Sequence, residues 1–157
     1  MAINTNLLII TSNINGLNAP VKRYRVAEWI RKQDPYICCL QETYLESKDT
    51  HRLKVKGWKK TFHANEKGKE AGVTIFISNK IDFRTKVVVG DKGWHYIMIK
   101  GTIQQEVTTL VNFYASNIGA PKYVKQILMD IKGETDSYIV IVEDFNTLLT
   151  SMDKSVR

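Results

Sequence analysis

Polar side chains follow four apolar segments of this 157-residue chain, at positions where they could act together. They are Asn13, Glu42, Tyr114, Asn117, Asp144 and Asn146. Carboxylates and amides held at the ends of rigid strands are ligands suited to a hard cation such as Mg²⁺, which completes its shell with water and phosphate oxygens. Each residue taken singly also fits a turn or a cap at the end of a strand. The chemical interpretation therefore depends on their convergence.

Short strands and two helices are predicted to position these residues. Residues 7–11 and 36–40 are apolar runs that predict buried strands. Between them, apolar side chains recur every three residues after Pro20, and Asp34-Pro35 predicts the end of that helix. We expect strands at 59–63, 72–78, 85–89, 96–103, 107–114 and 138–142, and a helix at 123–131. The middle strands are predicted to form a meander, and a mixed sheet with covering helices is the simplest architecture.

The charge of the chain favours a polyanionic partner. Lysine and arginine total 23 against 16 acidic residues, which gives a net charge of +7 at pH 7. Basic residues cluster at 22–25, 31–32, 51–60 and 67–69, and such clusters gain from counterion release on phosphates. A solvated surface is the alternative interpretation of each cluster. No apolar run approaches the roughly 20 residues of a membrane span, and no signal sequence is evident, so we expect an intracellular protein, nuclear or cytoplasmic, without a membrane partner.

The two cysteines lie next to each other in an apolar run. If residues 36–40 form a strand, the side chains of Cys38 and Cys39 point to opposite faces of the sheet. We predict that both are reduced core residues with no disulfide partner, as in an intracellular compartment. A reactive or metal-bound thiol is the alternative, but no histidine or further cysteine lies at ligand spacing.

Four ordered motifs resemble those of the endonuclease/exonuclease/phosphatase superfamily. They are Thr-Ser-Asn-Ile-Asn-Gly-Leu at 11–17, Gln-Glu-Thr at 41–43, Asn-Phe-Tyr-Ala-Ser-Asn at 112–117 and Glu-Asp-Phe-Asn at 143–146. Stretches at 49–58, 95–101, 103–106 and 119–121 resemble, more narrowly, the endonuclease domain of mammalian long interspersed nuclear element retrotransposons. The resemblance extends from residue 7 to 157. It implies a four-layer α/β/β/α sandwich of the deoxyribonuclease I type and a DNA substrate.

The resemblance also implies roles for individual residues. Glu42 would ligate Mg²⁺, or Mn²⁺ as an alternative, with Asn13 beside the same ion. Tyr114 would contact the scissile phosphate, Asp144 would orient or deprotonate the attacking water, and Asn146 would stabilise the transition state. The retrotransposon relatives nick duplex DNA and leave a 3′ hydroxyl. The residues expected to bind nucleic acid are Asn15, Asn117, Lys22, Arg23, Arg25 and Lys154.

Three positions depart from the family motifs. Glu143 stands where the family has glycine, Ser116 where it has proline, and Tyr44 where the retrotransposon enzymes usually have histidine. The first departure matters most. A side chain at that position can obstruct a close approach, and a carboxylate beside Asp144 would raise the pKa of that residue by like-charge repulsion.

The later half of the family sandwich supplies another DNA-contacting aspartate and a Ser-Asp-His motif, and residues 1–157 contain neither. The three histidines present do not match those positions: His51, His63 and His95. We therefore expect one C-terminally truncated domain, residues 1–157, that is monomeric or prone to aggregation and severely impaired in DNA nicking. A catalytically silent nucleic-acid-binding remnant and an unstable fragment are the alternative hypotheses.

Overall fold

Two four-stranded β-sheets face each other in the computed structural model, which describes residues 7–45, 47–64, 72–90, 96–114, 129 and 138–144. Strand order is β1-β2-β4-β3 in the first sheet and β5-β6-β7-β8 in the second. The elements are β1 (Ile9–Asn13), α1 (Pro20–Gln33), β2 (Ile37–Gln41), β3 (Lys60–Ala64), β4 (Val73–Ile77), β5 (Phe83–Gly90), β6 (Tyr96–Ile103), β7 (Glu106–Tyr114) and β8 (Tyr138–Asp144).

Helix α1 connects the parallel strands β1 and β2 and covers the outer face of the first sheet. Its first residue is Pro20, whose missing N–H costs nothing at a helix start. It ends where Asp34 adopts a left-handed conformation, with φ of +49°, and donates its N–H to the Ile30 carbonyl at 2.9 Å. The buried stripe of the helix comprises Val26, Ala27 and Ile30. The predicted helix and its end at Asp34-Pro35 are confirmed.

Strand β2 lies inside the first sheet and contributes to both cores. Cys38 and Leu40 pack in the cluster beneath α1, whereas Ile37 and Cys39 pack in the cluster between the two sheets. This alternation confirms that the two cysteines point to opposite faces. Both thiols are free and buried, and burial raises the pKa of Cys39 to about 12, so it stays protonated at neutral pH.

The division into two sheets shows that the single mixed sheet expected from the strand pattern is wrong. Strands β3 and β4 belong to the first sheet, and the antiparallel meander is limited to β5, β6 and β7, with β8 added parallel to β7. An alternating apolar pattern determines which side chains are buried, but it does not determine which strand becomes the neighbour. The two-sheet sandwich implied by the family resemblance is confirmed.

The described residues form two helical segments, α1 and a 3₁₀ helix, Ser47–Arg52, apart from the single residue Met129. Within this part of the chain no helix has the length and apolar character to cross a bilayer. The helix predicted at 123–131 lies outside the described residues except for Met129, which has helical backbone.

A buried asparagine connects the two sheets near the ends of their strands. Asn112 of β7 donates from Nδ2 to the carbonyl oxygens of Leu40 and Thr74, at 3.1 and 2.9 Å. Its Oδ1 accepts from Nε2 of Gln41 at 2.8 Å, and Gln41 also donates to Thr11 Oγ1 at 2.8 Å. Asn112 is fully buried, so each of these bonds replaces one that water would otherwise make.

We predict that Asn112→Ala lowers the free energy of unfolding by about 2 to 4 kcal/mol, because the Gln41 amide loses its buried acceptor and a cavity replaces the carboxamide. Urea titration followed by circular dichroism measures the change. Asn79→Ala is the matched control, since Asn79 Oδ1 accepts one hydrogen bond from the Lys59 N–H at an exposed position. Equal effects of the two substitutions would contradict the prediction.

Candidate active site

The loop after β1 and the segment after β2 are held together by backbone hydrogen bonds. The Gly16 N–H donates to the Glu42 carbonyl at 2.7 Å, and the Leu17 N–H donates to the Thr43 carbonyl at 2.9 Å. Gly16 has a φ of +97°, a conformation that glycine adopts without steric cost. The parallel pairing of β1 and β2 therefore continues past both strands and fixes the backbone around Glu42.

Glu42 is the central side chain of this strand-end site. It is 9% exposed, and its backbone adopts a left-handed conformation with φ of +54°. Asn13 donates from Nδ2 to one carboxylate oxygen, and the Tyr44 hydroxyl donates to the other at 3.3 Å. A left-handed residue other than glycine costs roughly 1 to 3 kcal/mol and persists where the surroundings hold it, often at functional sites.

The donor set around Glu42 fits a hard divalent cation. Asn13 uses its Nδ2 on Glu42, while its Oδ1 accepts from the Asn15 N–H at 3.1 Å, so in this arrangement it orients the carboxylate. No group of three or more histidine, cysteine, aspartate or glutamate side chains gathers anywhere in the described ranges. Mg²⁺ needs only one or two protein carboxylates, with water and phosphate oxygens completing its shell. Glu42 provides one of them.

The second sheet presents the ends of β7 and β8 to the same region. Tyr114 and Asp144 are paired positions in the parallel β7–β8 ladder. Gln41 of β2 and Asn112 of β7 share a hydrogen bond. Glu42 follows Gln41 directly, and Tyr114 lies two residues beyond Asn112. Two residues of chain span at most about 7 Å, so the backbones of all four strand ends emerge close together. The shared position of Glu42 and Asp144 around one ion remains a prediction.

The predicted nucleic-acid-binding residues of helix α1 have different environments. Arg23 donates from Nη1 to the carbonyl oxygens of Leu17 and Asn18, at 3.0 and 2.7 Å, and thereby holds the loop that leads to the helix. Lys22 donates to the Asn15 carbonyl at 3.1 Å, whereas the side chain of Arg25 is exposed. Their contact with nucleic acid remains a prediction. The residues Asn117, Asn146 and Lys154 lie outside the described part of the chain.

The structure reveals supporting residues to which the motifs alone assigned no role. Gln41 and Asn112 tie the strand ends together, and Tyr44 contacts the carboxylate of Glu42. A polar residue inside an otherwise apolar strand is the sequence signal for the first two, because such a group needs a buried partner. Tyr44 shows that the departure from the family's histidine still provides a hydrogen-bond donor to the site.

The two described histidines have different environments. His51 is exposed in the 3₁₀ helix, and His63 is the penultimate residue of β3. His63 Nδ1 lies 2.9 Å from the Thr74 hydroxyl, and burial lowers the pKa of His63 to about 4. His63 is therefore neutral at pH 7. His95 lies outside the described residues.

The family assignment follows from a match along nearly the whole chain. The family model described as "Endonuclease/Exonuclease/phosphatase family" matches residues 10–155. The chain belongs to this family. Members of the endonuclease/exonuclease/phosphatase family are hydrolytic nucleases and phosphodiesterases, and its nucleases generally use divalent metals such as Mg²⁺.

Solved structures of this family share the fold of the chain. TDP2 of D. rerio, in complex with a single-strand DNA product, matches at 15% identity with a TM-score of 0.69, over 94% of this chain and 63% of that one. The endonuclease domain of TRAS1, a telomere-specific non-LTR retrotransposon, matches at 11% identity with a TM-score of 0.62, over 92% of this chain and 61% of that one. An AP endonuclease from Archaeoglobus fulgidus matches at 20% identity with a TM-score of 0.62, over 94% of this chain and 60% of that one.

These matches establish the fold as a sandwich of the deoxyribonuclease I type within the endonuclease/exonuclease/phosphatase family. The chain spans between 48% and 66% of the length of the TDP2 structures from C. elegans and D. rerio.

We predict that His63 makes stability depend on pH. Its pKa falls from an ordinary value of 6.5 to about 4 on folding, so the unfolded chain binds more protons between those values. Stability is therefore full above pH 6.5 and falls by about 1 to 3 kcal/mol as pH drops towards 4. The measurement is urea unfolding from pH 4 to 7.5. His63→Gln should remove this component and His51→Gln should retain it; identical profiles would contradict the assignment.

Proposed function

We propose that this chain carries the metal-binding and phosphate-contacting side of a Mg²⁺-dependent phosphodiester hydrolase site that acts on DNA. The observation that carries the proposal is the position of Glu42. Its carboxylate is held by Asn13 and Tyr44 at the ends of β1 and β2, beside strands β7 and β8 that end in Tyr114 and Asp144. Phosphodiester hydrolysis requires such a set of an anionic metal ligand, a phosphate contact and a group that positions water.

Each residue has a separate task in the proposed reaction. Glu42 holds the cation, and Asn13 holds the carboxylate of Glu42. When bound, Mg²⁺ or Mn²⁺ polarises the phosphate and stabilises the negative charge that develops on its oxygens. Asp144 orients the attacking water or takes its proton, while Tyr114 and Asn146 hydrogen-bond to the phosphate and to the charge that develops on it.

The proposed lineage is that of retrotransposon endonucleases. The stretches at 49–58, 95–101 and 119–121 resemble the long interspersed nuclear element enzymes, and a retrotransposon endonuclease domain is among the structures that share the fold. The proposed substrate is therefore duplex DNA, and the product is a nick with a 3′ hydroxyl. A DNA partner accords with the net charge of +7, and the reduced cysteines accord with an intracellular location.

A nucleic-acid-binding protein without turnover is the second candidate function. It is favoured by the surplus of basic residues, which gives the chain a net charge of +7. In this candidate, residues 1–157 bind DNA through that charge and do not cleave it. An unstable fragment is the third candidate, and exposed valines in β5, Val87, Val88 and Val89, are the feature that favours it.

We predict that Glu42→Gln weakens Mn²⁺ binding at least about tenfold, because the substitution removes the anionic oxygen and leaves the side-chain volume unchanged. Electron paramagnetic resonance of free Mn²⁺ provides the binding curve. Glu106→Gln is the control, since Glu106 begins β7 and lies outside the strand-end site. Asn13→Ala should give an intermediate loss. Unchanged binding in Glu42→Gln would overturn the metal assignment.

We predict that residues 1–157 alone nick supercoiled plasmid at less than about one hundredth of the rate of an intact family enzyme. Residues 1–157 do not contain the aspartate and histidine of the family's Ser-Asp-His motif, and the loss of a general base or of a transition-state donor each lowers the rate by a factor of about 10² or more. Agarose gels follow nicking in Mg²⁺ and in EDTA, with Asp144→Ala as the control. Extension of the chain with the later strands of a family member should restore activity. Rapid nicking that disappears in Asp144→Ala would contradict this prediction.

A further inference from the structure

A basic cleft lies against β3, on the side of the first sheet that faces α1. Its volume is about 750 Å³. The charged and titratable residues in its lining are Arg31, His51, Lys54, Lys56, Lys59 and His63. Leu53, Val55 and Trp58 provide buried apolar surface, and no carboxylate belongs to the lining formed by the described residues. We call this feature the β3 cleft.

Three lysines of the β3 cleft have exposed side chains. Lys54, Lys56 and Lys59 make no ion pair with any residue in the described ranges. Some other basic residues are ion-paired: Arg31, which also lines the cleft, with Glu28, Arg52 with Asp49 at 3.5 Å, and Lys80 with Asp34. Like charges that gather without a counter-charge are unfavourable for the isolated protein and favourable towards an anion.

The backbone that presents these lysines is locked in place. The Trp58 N–H donates to the Val55 carbonyl at 3.0 Å, and Gly57 has a φ of +101°, which together define a tight turn with Lys56 at its corner. The Trp58 indole donates from Nε1 to the Pro35 carbonyl at 3.0 Å and is only 5% exposed. The lysines therefore project from a fixed platform, which lowers the entropy cost of binding a ligand.

The cleft extends along β3 and leads away from the strand-end site. His63 is paired with Thr74, which is paired in turn with Leu40 of β2, so two strand spacings, roughly 10 Å, separate His63 from Leu40. The lysines lie at the other end of β3, because Lys59 precedes Lys60, which is paired with Ile77 and through it with Ile37, the first residue of β2. The lysine contact is therefore separate from the site around Glu42.

We propose that the β3 cleft binds the sugar–phosphate backbone of a nucleic acid as a contact separate from the catalytic strand ends. The inference rests on the proposed function in that DNA is the substrate class. Lysine point charges neutralise phosphates without reading sequence, so the cleft increases affinity and leaves base selectivity to other contacts.

The test compares the combined variant Lys54→Gln/Lys56→Gln/Lys59→Gln with Lys80→Gln/Arg84→Gln/Lys86→Gln, which removes the same charge outside the cleft. Fluorescence anisotropy with a duplex of random sequence, in EDTA, gives affinity between about 50 and 200 mM salt. Each phosphate contact contributes about 0.9 to the slope of log affinity against log salt. If the three lysines make three such contacts, the affinity of the parent chain should fall about 40-fold more across this salt range than the affinity of the Lys54→Gln/Lys56→Gln/Lys59→Gln variant. Equal salt slopes for the two combined variants would overturn the proposal.

A second measurement needs no substitution. Lysine acylation of the parent chain, read by mass spectrometry, should show Lys54, Lys56 and Lys59 protected by duplex DNA and Lys80 unprotected. Inorganic phosphate, at a concentration equal to that of the phosphate groups in the DNA, serves as the control. Equal protection of the three lysines by inorganic phosphate would contradict the proposal that the ligand is a nucleic acid. Glu42→Gln should leave this protection unchanged, so a failure of the metal site and a failure of the β3 cleft give different results.

Discussion

The buried carboxamide of Asn112 fixes the level at which the two sheets face each other. Its three hydrogen bonds end on Gln41, Leu40 and Thr74, so two strands of the first sheet, β2 and β4, are included. A shift by one residue, about 3.3 Å, would break all three bonds at once, and each unsatisfied buried group costs about 1 to 3 kcal/mol. The proximity of the strand ends is therefore a consequence of polar groups in the core.

That alignment allows backbone strain to be kept at Glu42. The left-handed conformation of this residue is unfavourable in an isolated peptide, but the Gly16–Glu42 and Leu17–Thr43 hydrogen bonds hold the segment on both sides. The carboxylate is then oriented by Asn13 and Tyr44 before any ligand arrives. A site whose side chains are already oriented loses less conformational entropy when a ligand binds. The strained backbone at Glu42 contributes to this orientation.

Local sequence patterns predicted the elements, and family motifs were needed for the site. Pro20 and Asp34-Pro35 defined α1, and the alternation at Cys38 and Cys39 was correct because both depend on neighbouring residues only. Sheet membership was wrong, since β3 and β4 carry the same apolar pattern whichever strands they pair with. The partners of Asn112 could not be predicted, because they lie 38 to 72 residues away along the chain.

The separation between the strand-end site and the β3 cleft resolves a conflict between two electrostatic requirements. A cation site needs an anionic carboxylate such as Glu42, whereas a polyanionic substrate needs positive charge. Fixed lysines placed directly beside Glu42 would neutralise it and compete with the cation. The lysines lie at the Lys60 end of β3, level with the start of β2, whereas Glu42 follows the end of β2, so four residues of strand, roughly 13 Å, and two strand spacings separate them. That exceeds the Debye length of about 8 Å at physiological salt, and the charges are largely screened from each other. They remain available to phosphates that lie directly in the cleft, so in the proposed function one face would hold the DNA and one rim would hold the metal.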